Sequence, residues 1–148
     1  MAWSAPGLFV VTQLAVFTNT LTTLNWGAED HKFAFWTASA TPNYGTDTAY
    51  GSAPWNSGES SGAGYSTGGP LLLGTTMTHV SGSIKFDADN IELADSTITA
   101  EGGVGYADAL SNQLLFGVWF GELLETQDGL FLITWDSLGI ALQDLTPA

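Results

Sequence analysis

The chain has 148 residues, 45% of them hydrophobic, with fifteen acids against two lysines and no arginine, for a formal net charge of −13. That length supports one domain with a core, and that charge excludes nucleic acid as a partner, because phosphate binding needs clustered Lys or Arg. It also opposes docking on an anionic membrane and favours a positively charged or apolar surface, while the absence of cysteine excludes disulfides, thiolate metal sites and thiol nucleophiles.

The N-terminal run to Phe17 is apolar but lacks a basic leader and is interrupted by Thr12 and Gln13, so it is not expected to act as a signal peptide. No stretch reaches the roughly 18 apolar residues of a membrane span. Between Pro6 and Thr23, Leu8, Val11, Leu14, Ala15 and Phe17 fall near i, i+3, i+4 spacing. That spacing predicts a helix of about three turns within an N-terminal arm, residues 1–25. His31 to Thr37 reads as a strand with Phe33 and Phe35 on one face and Lys32, Ala34 and Trp36 on the other.

Residues 42–70 form a long polar loop. Gly45, Gly51, Gly58, Gly62, Gly64, Gly68 and Gly69, with Pro54 among Ser, Asn and Asp, stop either regular element from propagating. Loops of this length inside a domain are uncommon and are either disordered or ordered against something. Tyr44, Tyr50, Trp55 and Tyr65 argue for the second, since exposed aromatic rings cost solubility unless they pack on the domain or on a partner. These four are the candidate protein-interface residues, and Trp55, inside the loop, is the one expected to touch a partner.

Beyond the loop, strands are expected over Thr75–Val80, Ser83–Asp87, Asn90–Leu93, Ser96–Tyr106, Gln113–Glu122, Leu130–Trp135 and Gly139–Leu142. Gln113–Glu122 is apolar on both sides, which marks a central or interface strand, and Asp128-Gly129 is a hairpin signal. The fold class that follows is mainly β: an antiparallel β-sandwich or barrel, with one N-terminal helix and a long Gly-rich loop. Its strand edges need cover, for which oligomerisation is the expected means.

Chemistry-bearing patterns are weak. Gly58-Glu59-Ser60-Ser61-Gly62 matches G-x-S-x-G and nominates Ser60, but no strand enters it and no helix leaves it. Asp87-Ala88-Asp89-Asn90-Ile91-Glu92 resembles the start of a calcium loop, without Gly at the sixth position or Glu at the twelfth. Glu29-Asp30-His31 with His79 lacks the spacing of a zinc site. No catalytic, cofactor or metal residue is therefore assigned. Trp119 and Trp135 are read as core from their strand positions.

His31 to Tyr44, Asp47-Thr48-Ala49-Tyr50 and Glu59 to Gly69, with its Gly64-Tyr65-Ser66-Thr67-Gly68-Gly69 element, resemble small virion proteins of tailed bacteriophages. Phe86 to Asp89, Ser96 to Ala100 and Thr134 to Ile140 continue the resemblance in the same order. Glu101-Gly102-Gly103 departs from it, standing where relatives carry a Val-Arg-like surface between strands. The resemblance implies a non-enzymatic capsid decoration (cement) protein on the virion surface, without a cofactor. Its partner would be the major capsid protein, and it would be a homo-oligomer, with a trimer suiting threefold positions on a shell. A minor tail or tail-tip protein and a glycan-binding module are the alternatives.

Overall fold

The computed structural model describes residues 3–21, 23–27, 30–37 and 40–146. Nine strands and one helix follow in the order β1 (Gly7–Leu8), α1 (Val10–Phe17), β2 (His31–Trp36), β3 (Thr76–Val80), β4 (Ser83–Asp87), β5 (Ile91–Ser96), β6 (Thr99–Ala107), β7 (Gln113–Glu125), β8 (Gly129–Ile133) and β9 (Ala141–Asp144). All pairings are antiparallel. The strands make a four-stranded sheet in the order β1-β7-β6-β2, a three-stranded sheet β3-β4-β9 and a two-stranded sheet β5-β8. The chain is thus a mainly β, sandwich-like fold with one short helix near its start.

The four-stranded sheet is buried on both faces except along the tail of β7. Phe33 and Phe35 of β2 and Phe116 of β7 point into a core shared with Phe86, Ile91, Phe131 and Ile133 from the two smaller sheets. Ala34, Trp36, Val104, Tyr106 and Leu114 point the other way, into a second core closed by Trp3, Phe9, Ala40 and Trp55. Alternation along β2 is as the sequence predicts, but both faces are core. The second is covered by the N-terminal segment and by residues 42–70.

That loop also closes the outer edge of β2, where Phe33 N–H donates to Pro70 O (2.9 Å), Leu72 N–H to His31 O (2.8 Å), Ser60 N–H to Phe35 O (2.9 Å) and Thr37 N–H to Gly58 O (3.2 Å). Phe35 N–H donates to the Tyr65 hydroxyl at 3.1 Å. A long connection without regular structure therefore satisfies an edge that would otherwise template pairing with another chain. At Gly69 the approach is so close, with φ +76°, that a Cβ would overlap the Phe33 carbonyl oxygen. This is the physical reason for the paired glycines of the Gly64–Gly69 element.

Two expectations are corrected. The helix is eight residues, about two turns, because Gly7 and Leu8 are drawn into the sheet opposite Gly117 and Phe116. It stops where Asn19 takes a left-handed φ of 61°. The Asp128-Gly129 turn does not join a hairpin: β7 stays paired with β6 as far as Glu125, and β8 leaves to pair with β5, Ser96 opposite Gly129. Glu101-Gly102-Gly103 falls within the strand expected over Ser96–Tyr106. It lies inside β6, flanked by β2 and β7, where Cβ atoms at Gly102 and Gly103 would meet the Trp3 and Phe33 rings.

Candidate functional site

The four aromatic residues nominated from the loop face inward. Trp55 is 1% exposed, edge-on to Trp3 and Trp36 at ring-centroid distances of 5.4 and 5.1 Å. Its indole N–H donates to Asp47 Oδ2 at 3.0 Å, and the same oxygen accepts Asn43 N–H at 2.8 Å. A side chain so enclosed cannot touch a partner, so Trp55 is a packing residue. Half-buried Tyr44 packs on Phe9 at 5.0 Å, and its hydroxyl donates to Ala5 O at 2.8 Å and accepts the Trp3 indole N–H at 3.1 Å.

Tyr50 and Tyr65 converge on one carboxylate. Tyr50 donates to Glu59 Oε2 (2.9 Å), while Tyr65 and Gly68 N–H both reach Glu59 Oε1 (2.6 Å each). Tyr50 also stacks on Tyr106 at 4.5 Å, and Tyr106 donates to Gly68 O at 2.7 Å. Burial, then the Glu59 carboxylate, pushes the Tyr50 phenol up to about 12 and Tyr65 higher still. Burial also raises Tyr106, with added repulsion from Tyr50, Asp108 and Glu59. Burial raises Tyr44, partly opposed by the Trp3 hydrogen bond. The constellation holds the loop on the sheet and keeps these phenols protonated.

Ser60 is buried and its hydroxyl donates to Thr99 O at 2.7 Å, tying the loop to the start of β6. His31 is buried, with Nε2 2.9 Å from Asn25 O and Nδ1 3.3 Å from Asp30 Oδ1. Exposed His79 lies on β3, in a different sheet, and accepts Gly82 N–H at 3.1 Å. Glu29 lies outside the described residues. No group of three or more His, Cys, Asp or Glu side chains suited to a metal occurs among the described residues. Asp87 pairs with Lys85 at 3.2 Å, and Asp89 O and Asn90 Oδ1 accept the Trp135 indole and backbone N–H, so this segment is a turn braced by Trp135. Trp119 and Trp135 are half-buried against the two cores.

The surface feature that stands out is α1. Val10, Leu14 and Phe17, at i, i+4 and i+7, form one stripe, yet they are 56%, 60% and 73% exposed. The buried residue of the helix is Thr12, whose hydroxyl donates to Leu114 O and accepts Gln113 Nε2 at 2.8 Å. The helix is held to β7 by a polar contact and turns its apolar stripe outward. Beside it, between α1 and the β3-β4-β9 sheet, runs a groove of about 210 Å³ lined by Leu8, Val16, Phe17, Trp26, Met77 and Phe86, among others. No charged side chain lines it, and the enclosed Gln13 Nε2 beside it has no hydrogen-bond partner. Residues 1–28 contain no charged side chain at all.

Sequence reasoning found this helix but not its orientation. The available signal was the missing charged face: a helix with only Thr12 and Gln13 as polar residues has no side marked for water. The geometry defines the class as a mainly β chain with a neutral, exposed apolar surface at its N-terminal helix on an otherwise acidic molecule. Compared with known protein families, curated proteins and solved structures, the chain shows no match.

Proposed function

We propose that the chain is a non-enzymatic structural protein of a bacteriophage virion, a capsid decoration protein that seats its uncharged N-terminal face on the shell of major capsid protein. The observation that carries this is the outward Val10, Leu14 and Phe17 stripe beside an apolar groove. Exposed apolar patches with adjoining concavity mark protein contact surfaces, and in a chain of net charge −13 this face can approach another surface without burying a carboxylate. The resemblance described above supplies the virion setting. The glycan-binding alternative loses Trp3, Trp36 and Trp55, which are enclosed, and would rest on the half-buried Trp26, Trp119 and Trp135.

The test is co-sedimentation with decoration-free mature heads and, separately, with isolated tails. Hundreds of copies saturating the heads, with heads then surviving higher temperature through mass action, are expected. Phe17→Lys should abolish binding while leaving thermal unfolding unchanged. A few copies bound to tails alone would transfer the protein to the tail, and binding to neither particle would defeat the virion reading.

A further inference from the structure

A second surface lies along β7 from the first. Leu114, which anchors α1 through Thr12, and Leu123 are nine positions apart on β7, about 30 Å at strand rise. There the tail of β7 meets β8 around a groove of about 250 Å³ lined by Leu124, Glu125, Thr126, Leu130, Phe131 and Leu132. β8 alternates, burying Phe131 and Ile133 while exposing Leu130 and Leu132, and half-buried Leu124 of β7 lines the same groove. Among the described residues β8 is paired with a strand on one side only, as is β7 beyond Gly117.

The rim is acidic. Glu92 stands opposite Leu132 across the β5-β8 ladder, and Asp95, Glu122, Glu125 and Asp128 are exposed on the same elements and their turns. These are five of the chain's fifteen carboxylates, and none is in an ion pair among the described residues. Both lysines are engaged elsewhere, Lys32 with Asp108 and Lys85 with Asp87. A second copy brought to this end would set its own carboxylates against these, and like charges across an interface oppose association. A basic partner reverses that sign.

We propose that this end docks an extended segment of a partner protein, with alternate apolar side chains against Leu124, Leu130 and Leu132 and flanking Lys or Arg reaching the carboxylate rim. Strand addition at an open edge supplies main-chain hydrogen bonds and alternate pockets. The proposal is independent of the virion reading, since its test contains no phage particle.

The probe is a fluorescent peptide of alternating valine and threonine with a pair of lysines at each end, followed by anisotropy; the control has glutamates in place of lysines. The lysine peptide is expected to bind and to weaken with added salt. Leu132→Glu should weaken it about tenfold, and Glu122→Gln with Glu125→Gln should weaken it without adding bulk, both with unchanged thermal unfolding. No binding, equal binding of the glutamate peptide, or wild-type affinity in both variants would overturn the proposal. So would a dimer in sedimentation that Leu130→Glu returns to monomer, which would assign this face to a second copy.

Discussion

Trp55 joins the loop to the second core through three rings, Trp3, Trp36 and Phe9, and one carboxylate, Asp47. Replacing it with alanine should cost about 3–5 kcal/mol, read by urea unfolding, because the surrounding rings cannot collapse fully into the space. A loss under about 1 kcal/mol would contradict this packing. The phenols give a pH prediction. All four tyrosines are raised from their ordinary value near 10, so folding favours the neutral form. That stability is complete below pH 10 and is lost as pH rises through the folded values, from about pH 10 to about 12 for Tyr50. Absorbance of tyrosinate at 295 nm should therefore lag well behind that of the urea-unfolded chain across this window; coincident curves would refute the buried network. The sequence contained these aromatic residues and the reason to expect them ordered, but whether they packed on the domain or on a partner depended on which face of the sheet the loop crossed.

At the scale of elements, α1 and the β2 edge make opposite predictions about truncation. Thr12→Val leaves Gln113 Nε2 without its acceptor in a buried site and should cost about 1–3 kcal/mol. Leu14→Ser, on the exposed stripe, should change stability by no more than about 0.5 kcal/mol. An amphipathic helix packed in the usual sense would show the reverse, so the pair of unfolding curves reads the helix's orientation directly. On β2, Tyr65→Phe removes the acceptor for Phe35 N–H and should cost about 1 kcal/mol while speeding hydrogen exchange at that amide. Gly69→Ala should cost more, about 3 kcal/mol, since both its positive φ and the Phe33 carbonyl oppose a side chain.

On the scale of the whole molecule, the two apolar surfaces differ in the charge around them. The first 28 residues carry no charged side chain and present the stripe of α1, whereas the tail of β7 and β8 present leucines among carboxylates. Salt should therefore separate the two surfaces. Association through the N-terminal face should be nearly indifferent to ionic strength, while peptide binding at the β7-β8 end should weaken from low to physiological salt, where the Debye length falls to about 8 Å. Titration calorimetry at two salt concentrations distinguishes them.

Strand positions, the mainly β class and the placement of a long loop between β2 and β3 were legible in the sequence, because alternation of apolar residues and the distribution of Gly, Pro and Asp are local properties. The tertiary structure alone decided the rest. Alternation along β2 shows that Phe33 and Trp36 face opposite ways, but not that each face meets a core. The i, i+3, i+4 spacing of Leu8, Val11, Leu14, Ala15 and Phe17 predicts a helix, but not that Thr12 rather than Leu14 is held against β7. Nor does a two-residue turn signal reveal that β8 pairs with β5. Each of these depends on residues distant in the chain competing for the same surface, and that competition is settled only when the sheets pack.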